Sequence, residues 1–289
     1  MRRSNSGQGP DRTVNPDLPH DLFAGTAEAY ARYRPAHPDD LLDDLRQRAG
    51  VTGAGRLLDL ACGPGRVTLP LAMHFREVWA VDQEPQMIEV GRARAERQGL
   101  TNIRWMVGRA EEVEAAPAAF ELITIGEAFH RLDQRSIAER ALEWLAPGCC
   151  LATLGCFGLL AGQEPWHDVL RAAVGPWTDR DDPAQPTSPK ASLQPRGADH
   201  ERAVLTGHGF EHVGSFDFPH LHVWTVDSIL GNLRSTSRYS SRALDPKVER
   251  FDADVRGTLL AFDSSGRYLE TLRFYYSLFR RPIEPERRV

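Results

Sequence analysis

Leu57-Leu58-Asp59-Leu60-Ala61-Cys62-Gly63-Pro64-Gly65-Arg66-Val67-Thr68 is the stretch on which the fold turns. A short apolar strand over 56–60 runs into a turn with two glycines, and Val67 to Phe75 then reads as a helix. The glycines allow a tight turn and let a ligand approach the backbone amides closely. Outward from this unit the alternation continues. Glu77 to Val81 reads as a second strand, Pro85 to Gln98 as a helix ended by Gly99, and Ile103 to Val107 as a third strand. Phe120 to Ile125 is a fourth strand, Gln134 to Leu145 a helix and Cys150 to Gly155 a fifth strand. Short apolar strands separated by helices specify a parallel sheet covered on both faces, an α/β doubly wound domain.

Both flanks extend this unit. Residues 1–21 are polar and carry Pro10, Pro16 and Pro19, so a disordered leader is expected there. Over 22–55 the spacing of Ala27, Tyr30 and Tyr33, and then of Leu41, Leu42 and Leu45, predicts a helical cap. The cofactor-binding core is expected over 56–155. From 156 to 209 Pro165, Pro176, Pro183, Pro186, Pro189 and Pro195 break the rhythm, and a lid or substrate loop is expected. Over 210–282, Phe210 to Val226 and Gly266 to Phe279 read as strands that complete the sheet, with helical stretches at 227–234 and 245–262 between them. Residues 283–289 form a tail.

The chain has 289 residues, 41% hydrophobic and 26% charged, with a net charge of -5. That suits a sizeable core. No apolar run approaches the roughly 18 residues of a membrane span, and the N-terminus lacks a signal-peptide core, so a cytoplasmic location with no membrane partner is expected. The four cysteines, Cys62, Cys149, Cys150 and Cys156, form no CxxC pair. All but two of the 35 basic residues are arginines, a pattern of GC-rich coding. The negative balance argues against a nucleic-acid partner and tolerates a polycationic one.

The second strand ends in Val81-Asp82, and an acid there suits a ribose diol. The dinucleotide fingerprint, however, requires a third glycine where Thr68 stands, which turns the reading away from NAD. At this point the chain resembles the class I methyltransferases that use S-adenosylmethionine, in their small-molecule branch of trans-aconitate and ubiquinone type. The family text Leu-Asp-Leu-Gly-Cys-Gly-Thr-Gly is matched by Leu58-Asp59-Leu60-Ala61-Cys62-Gly63-Pro64-Gly65, with Ala61 in place of the first glycine. Gly108-Arg109-Ala110-Glu111, Ala128-Phe129-His130 and Leu145-Ala146-Pro147-Gly148 follow in the family's order.

The resemblance implies a Rossmann-like seven-stranded sheet with strand seven antiparallel, and S-adenosylmethionine as the cofactor. It places Asp59, Ala61, Gly63, Gly65, Asp82, Gln83, Met87, Arg109, Ala110, Glu111 and Gly126 around that cofactor. Tyr33 and Arg34, in a Tyr-Arg-Pro text like that of the family's N-terminal cap, are expected on the methionine carboxylate.

His130, at the carboxyl end of strand four, is the expected general base, with Glu127 beside it. The family's Trp after this histidine is Arg131 here. Phe129, Arg131, Asp133, Trp166, Trp177, Ser235, Ser237 and Tyr239 are the expected substrate contacts. Aromatics with acids nearby, including Asp168, Asp179, Asp181 and Asp182, suit a cationic or sugar-bearing ligand. His208, His212, His220 and His222 lack ligand spacing, and no metal is assigned. The expected reaction is methylation of an amine on a small polar molecule, such as an aminoglycoside-type antibiotic. An O-methyltransferase of a small carboxylate or phenol, favoured by Arg131, Arg171 and Arg180, and a cofactor-binding regulatory or partner subunit are the alternatives.

Overall fold

Both layers that cover the sheet follow from the alternation of apolar side chains in its central strands. The computed structural model describes residues 23–177 and 198–283. The expected leader, the stretch 178–197 with Asp179, Arg180, Asp181 and Asp182, and the tail from 284 onward lie outside the described residues. In chain order the elements are α1 (Ala27–Tyr33), α2 (Asp39–Ala49), β1 (Arg56–Leu60), α3 (Thr68–Ala72), β2 (Glu77–Asp82), α4 (Pro85–Arg97), β3 (Ile103–Val107) and β4 (Phe120–Gly126). There follow α5 (Gln134–Trp144), β5 (Leu145–Cys156), α6 (Pro165–Val174), α7 (Ala198–Gly207), β6 (Glu211–Thr225), α8 (Val226–Arg234), α9 (Ser241–Leu244), α10 (Val248–Phe262) and β7 (Arg267–Arg280).

The seven strands lie in the order β3-β2-β1-β4-β5-β7-β6. β1 pairs in parallel with β2 and β4, and β4 pairs in parallel with β5. β7 runs antiparallel between β5 and β6. The order reverses between β1 and β4, the point where an open α/β sheet leaves a crevice at its carboxyl ends.

In β1, Leu57 faces one core while Leu58 and Leu60 face the other, and all three are fully buried. The first core joins α2, α6, α8 and α10 through Leu41, Leu45, Leu170, Ile229 and Phe251. The second joins α5 and α7 through Ile137, Ala141, Trp144 and Leu205. Gly50 closes α2 in the left-handed region (φ 71), donating to the carbonyls of Arg46 and Gln47.

Several boundaries differ from the expected ones. The helix after the glycine turn is five residues, Thr68–Ala72, because Pro70 stands inside it and the turn itself takes up Arg66 and Val67. The fifth strand starts early, at Leu145, with a register shift that accommodates Ala146 to Cys149. The expected lid is, in its described parts, two packed helices. Pro165 sits at the start of α6, where a missing N–H is harmless, and Leu170 and Val174 are buried in the first core.

The N-terminal cap docks through a close helix contact. Tyr33 lies against Gly231 of α8, where a Cβ would come 2.2 Å from the ring, and the Asn232 side-chain amide donates to the Tyr33 carbonyl at 3.3 Å. Gly231→Ala should therefore cost about 1–3 kcal/mol of stability through overpacking, despite its gain in helix propensity. Chemical denaturation followed by circular dichroism measures this, and a variant at least as stable as wild type would contradict the packing.

Candidate functional site

The cleft is built on the turn after β1, and its lowest element is a carboxylate. Asp59 is buried and accepts hydrogen bonds from the hydroxyls of Thr68 on α3 and Thr124 on β4, the latter at 2.8 Å. Burial raises its pKa to about 6 against the opposing pull of the two hydroxyls. Above it the backbone turns left-handed at Ala61 (φ 52), Gly63 (φ 54) and Gly65 (φ 80). Ala61 holds a conformation that glycine would adopt at less cost.

Asp82 at the tip of β2 faces this turn. One of its oxygens accepts from the Gly63 amide at 2.8 Å and the other from the Glu84 amide at 2.9 Å. Burial raises its pKa while the two amides oppose the shift. The positions a Cβ would occupy on Gly63 and on Gly108, beyond β3, have no atom within 4 Å.

Across the turn, Tyr30, His37, Asp59, Ala61, Cys62, Gly63, Arg66, Val67 and Gly126 line a cleft of about 20 Å³. The Arg66 guanidinium, 9% exposed, pairs with Glu127 at 3.2 Å, donates to the Pro35 carbonyl and lies 5.8 Å from the Tyr30 ring centroid. Tyr30 donates to the same Glu127 carboxylate at 3.4 Å. Glu127 itself is left-handed (φ 54) and bonds its amide to the Leu154 carbonyl. Burial alone would raise its pKa, but Arg66, Arg34 and His37 hold it below the usual range.

His37 is buried, with its Nδ1 lacking a partner among the described residues. Burial and the Arg66 charge lower its pKa from 6.5 to about 3. His130 lies in the single turn Phe129–Arg131 after β4 and is exposed. Partial desolvation and then the Arg131 cation lower its pKa, so it is neutral at pH 7 and able to accept a proton.

The sequence expectations divide on this geometry. Asp59, Ala61, Gly63 and Gly126 line the cleft, and Asp82 and Glu127 bond directly to residues that line it. Gly65 shapes the turn, packed against Trp105 and Leu69. Met87 and Ala110 are buried supports, and Gln83 is exposed beyond β2. Arg109 pairs with Glu111 at 3.5 Å, and Glu111 accepts the Asp133 amide at 2.9 Å, tying the turn after β3 to the start of α5. Asp133 caps α5 by accepting from the Ser136 amide.

Other expectations need correction. Tyr33 packs on Gly231, and Tyr30 is the tyrosine of the cleft. Arg34 stacks over Tyr30 at 5.0 Å and donates its Nε to Ser235 at 2.8 Å. Ser235 is fully buried and serves as that arginine's anchor. Phe129 belongs to the second core, because its turn folds back onto the sheet. Arg131 lies over the Phe23 ring, 4.7 Å from its centroid.

Trp166 is a core residue, stacked on His167 and donating to the Leu269 carbonyl at 3.1 Å. Tyr239 stacks on Phe251, and Trp177 meets the same ring edge-on. Ser237 accepts from the Ser240 hydroxyl. These segments pack inward because α6 and α10 bury their apolar faces against each other.

Tyr30, His37 and Arg66 are the residues that sequence reading missed. Arg66 stood inside the quoted motif, and its signal was a cation directly after a ligand-binding turn.

Comparison with known proteins bears on the fold and on the segment that carries the turn. Residues 57–148 match the family model described as Methyltransferase domain. An uncharacterised methyltransferase of Mycobacterium tuberculosis is 31% identical over 126 residues, covering 44% of this chain and 48% of that protein. An uncharacterised RNA methyltransferase of Halalkalibacterium halodurans is 32% identical over 103 residues, covering 36% and 22%. The chain thus spans less than half the length of these curated relatives. Among solved structures, a protein of Anaeromyxobacter dehalogenans described as a type II methyltransferase superposes with a TM-score of 0.58 at 22% identity, covering 86% of this chain and 97% of that one. The fold is the Rossmann-like methyltransferase fold, and the match of residues 57–148 to a methyltransferase domain supports S-adenosylmethionine as the cofactor.

The buried histidine gives a pH signature. An unfolded chain protonates His37 as pH falls through 6.5, whereas the folded one waits until about 3, so folding stability is lost on acidification across that window. His37→Gln should recover about 2 kcal/mol relative to wild type at pH 5 and none of this difference above pH 7.5. Melting curves of both proteins from pH 4.5 to 8 measure this, and parallel pH profiles would refute the assignment.

Proposed function

We propose that this chain is an S-adenosylmethionine-dependent methyltransferase that methylates an amine of a small polar, aminoglycoside-type molecule in the cytoplasm, with neither nucleic acid nor membrane as partner. The observation that carries the reading is the left-handed turn at Ala61, Gly63 and Gly65 facing the Asp82 carboxylate. The residues fit the cofactor. The backbone at Gly63 and Gly108 is open to close approach of a ligand, and Asp82 can exchange its amide partners for a ribose diol. The unpartnered Nδ1 of His37 and Nε of Arg66 are donors or acceptors for an amino-acid group. Arg66 is aimed into the cleft, and Arg34, stacked behind Tyr30, supports it.

Bound there, S-adenosylmethionine would supply a methyl group on a sulfonium to the nitrogen of the amine. His130, neutral at pH 7, takes the proton that the incoming ammonium must lose. Glu127 holds Arg66 and Tyr30 in place around the reacting centre. A carboxylate acceptor is less well served, because Arg171 is occupied by the carbonyls of Leu160 and Gly162 and by Asp168.

Calorimetry with S-adenosylhomocysteine should give micromolar binding and none with NAD. Asp82→Ala should weaken that binding at least tenfold, the loss of roughly 1.4 kcal/mol or more, and equal affinity in the variant would sink the ribose assignment. His130→Ala should lower methyl transfer to an aminoglycoside panel about 100-fold while leaving S-adenosylhomocysteine affinity within twofold. Intact turnover would remove His130 as the base.

A further inference from the structure

A second carboxyl group, outside the cleft just described, stands at the same carboxyl edge of the sheet. Glu201 lies on α7, one helical turn before Leu205, and Leu205 is fully buried in the second core. A continuation of that apolar face would call for another aliphatic side chain at 201. Instead, Glu201 reaches down to β5 and accepts a hydrogen bond from Thr153. The residue is half-buried, and one carboxylate oxygen takes the Thr153 hydroxyl.

Two residues further along β5, on the same face of the sheet, is Gly155. Directly opposite it on β7 is Tyr275. The Tyr275 ring crosses Gly155 so closely that a Cβ there would stand 2.3 Å from the hydroxyl. That hydroxyl has no partner among the described residues. Phe157 meets the ring edge-on at 5.8 Å and closes the aromatic side. The pleat thus brings Thr153, with Glu201 bonded to its hydroxyl, and Gly155, with the Tyr275 hydroxyl above it, to one face of β5.

We propose that Glu201, Tyr275 and Thr153 form a subsite for an alkylammonium group of the acceptor, with the carboxylate as counter-ion and the tyrosine as the aromatic and hydroxyl wall. A carboxylate beside an aromatic face selects a cation over a neutral or anionic group. The charged groups around it fit. Tyr275 is within electrostatic reach of the Glu201, Glu127 and Asp217 carboxyls, and burial followed by these acids raises its pKa. Among the described residues, Arg273 lies over Phe157 and pairs with Asp217 at 3.3 Å, so its charge is already compensated. Burial also pushes Glu201 up to about 7 against the Thr153 hydrogen bond, so an ammonium that binds must draw the group to its ionised form.

The proposal rests on the methyltransferase reading for its meaning but is measured without turnover. Full-length protein carrying ¹³Cδ-glutamate is titrated with pH in the presence of 1,3-diaminopropane, 1,3-propanediol or malonate, and the Glu201 resonance is identified by its loss in Glu201→Gln. That variant keeps the oxygen that accepts from Thr153, so the fold is preserved. The diamine should lower the Glu201 midpoint by roughly one unit in a saturable manner, propanediol and malonate should leave it in place, and Tyr275→Phe should at least halve the diamine shift. An unmoved midpoint with the diamine, or an equal shift with propanediol, overturns the subsite. Binding of S-adenosylhomocysteine, followed in the same samples, reports separately on the cofactor cleft. Its absence would defeat the methyltransferase reading while leaving the Glu201 result to stand or fall by itself.

Discussion

The end of β1 is held by a single buried carboxylate, and the cleft depends on it. Asp59 receives one hydroxyl from α3 and one from β4, so the same side chain fixes the start of the helix after the turn and the neighbouring strand at the switch point. Between those two anchors the backbone must leave the sheet, pass through three left-handed residues and enter α3. The cost of burying the carboxylate is visible in its raised pKa, and two charge-assisted hydrogen bonds offset part of that cost. Left-handed backbone at Ala61 persists because both ends of the turn are fixed.

From that anchor the second tier follows. With the turn fixed, the Gly63 amide points at Asp82, and Arg66 is projected across the cleft toward Glu127. Arg66 then bonds the carbonyl of Pro35 and lies near Tyr30, which brings the N-terminal cap over the site. The cap is held from behind by Tyr33 on Gly231 and by Arg34 on Ser235. One arginine in the turn thus connects sheet, cap and the loop after β4.

Much of this was legible in the sequence. The strand alternation, the glycine turn, the acid at the end of strand two and the late pair of strands are local patterns, and each stands where the residues placed it, strand ends shifting by a few positions. What sequence could not give was direction of facing across long separations. Tyr30 and Tyr33 sit on one short helix, and only the contact with α8, some 200 residues later, decides which of them enters the cleft. The tryptophans and prolines of 156–177 read as a loop because proline marks both a helix start and a break. The apolar face that α6 shares with α10 settles it as a helix. Glu201 carried no motif at all, since its meaning depends on Thr153 and Tyr275, which are 48 and 74 residues distant in the chain.

The internal pairing of the cleft bears on how such a site can accept a charged guest. A buried Arg–carboxylate pair is close to balanced, and removing one partner without replacement leaves an uncompensated charge that costs several kcal/mol. Arg66 and Glu127 therefore cannot simply separate. They can part only if a group entering the cleft offers each of them an opposite charge. A zwitterionic amino-acid moiety does so, its carboxylate meeting Arg66 and its ammonium meeting Glu127. A neutral ligand, or a cation without an anion, would leave one of the two stranded. On this account the pair selects by charge pattern before any contact with the nucleoside turn is made. The low pKa of Glu127 works in the same direction, because an ionised carboxylate over the whole neutral range keeps that demand constant.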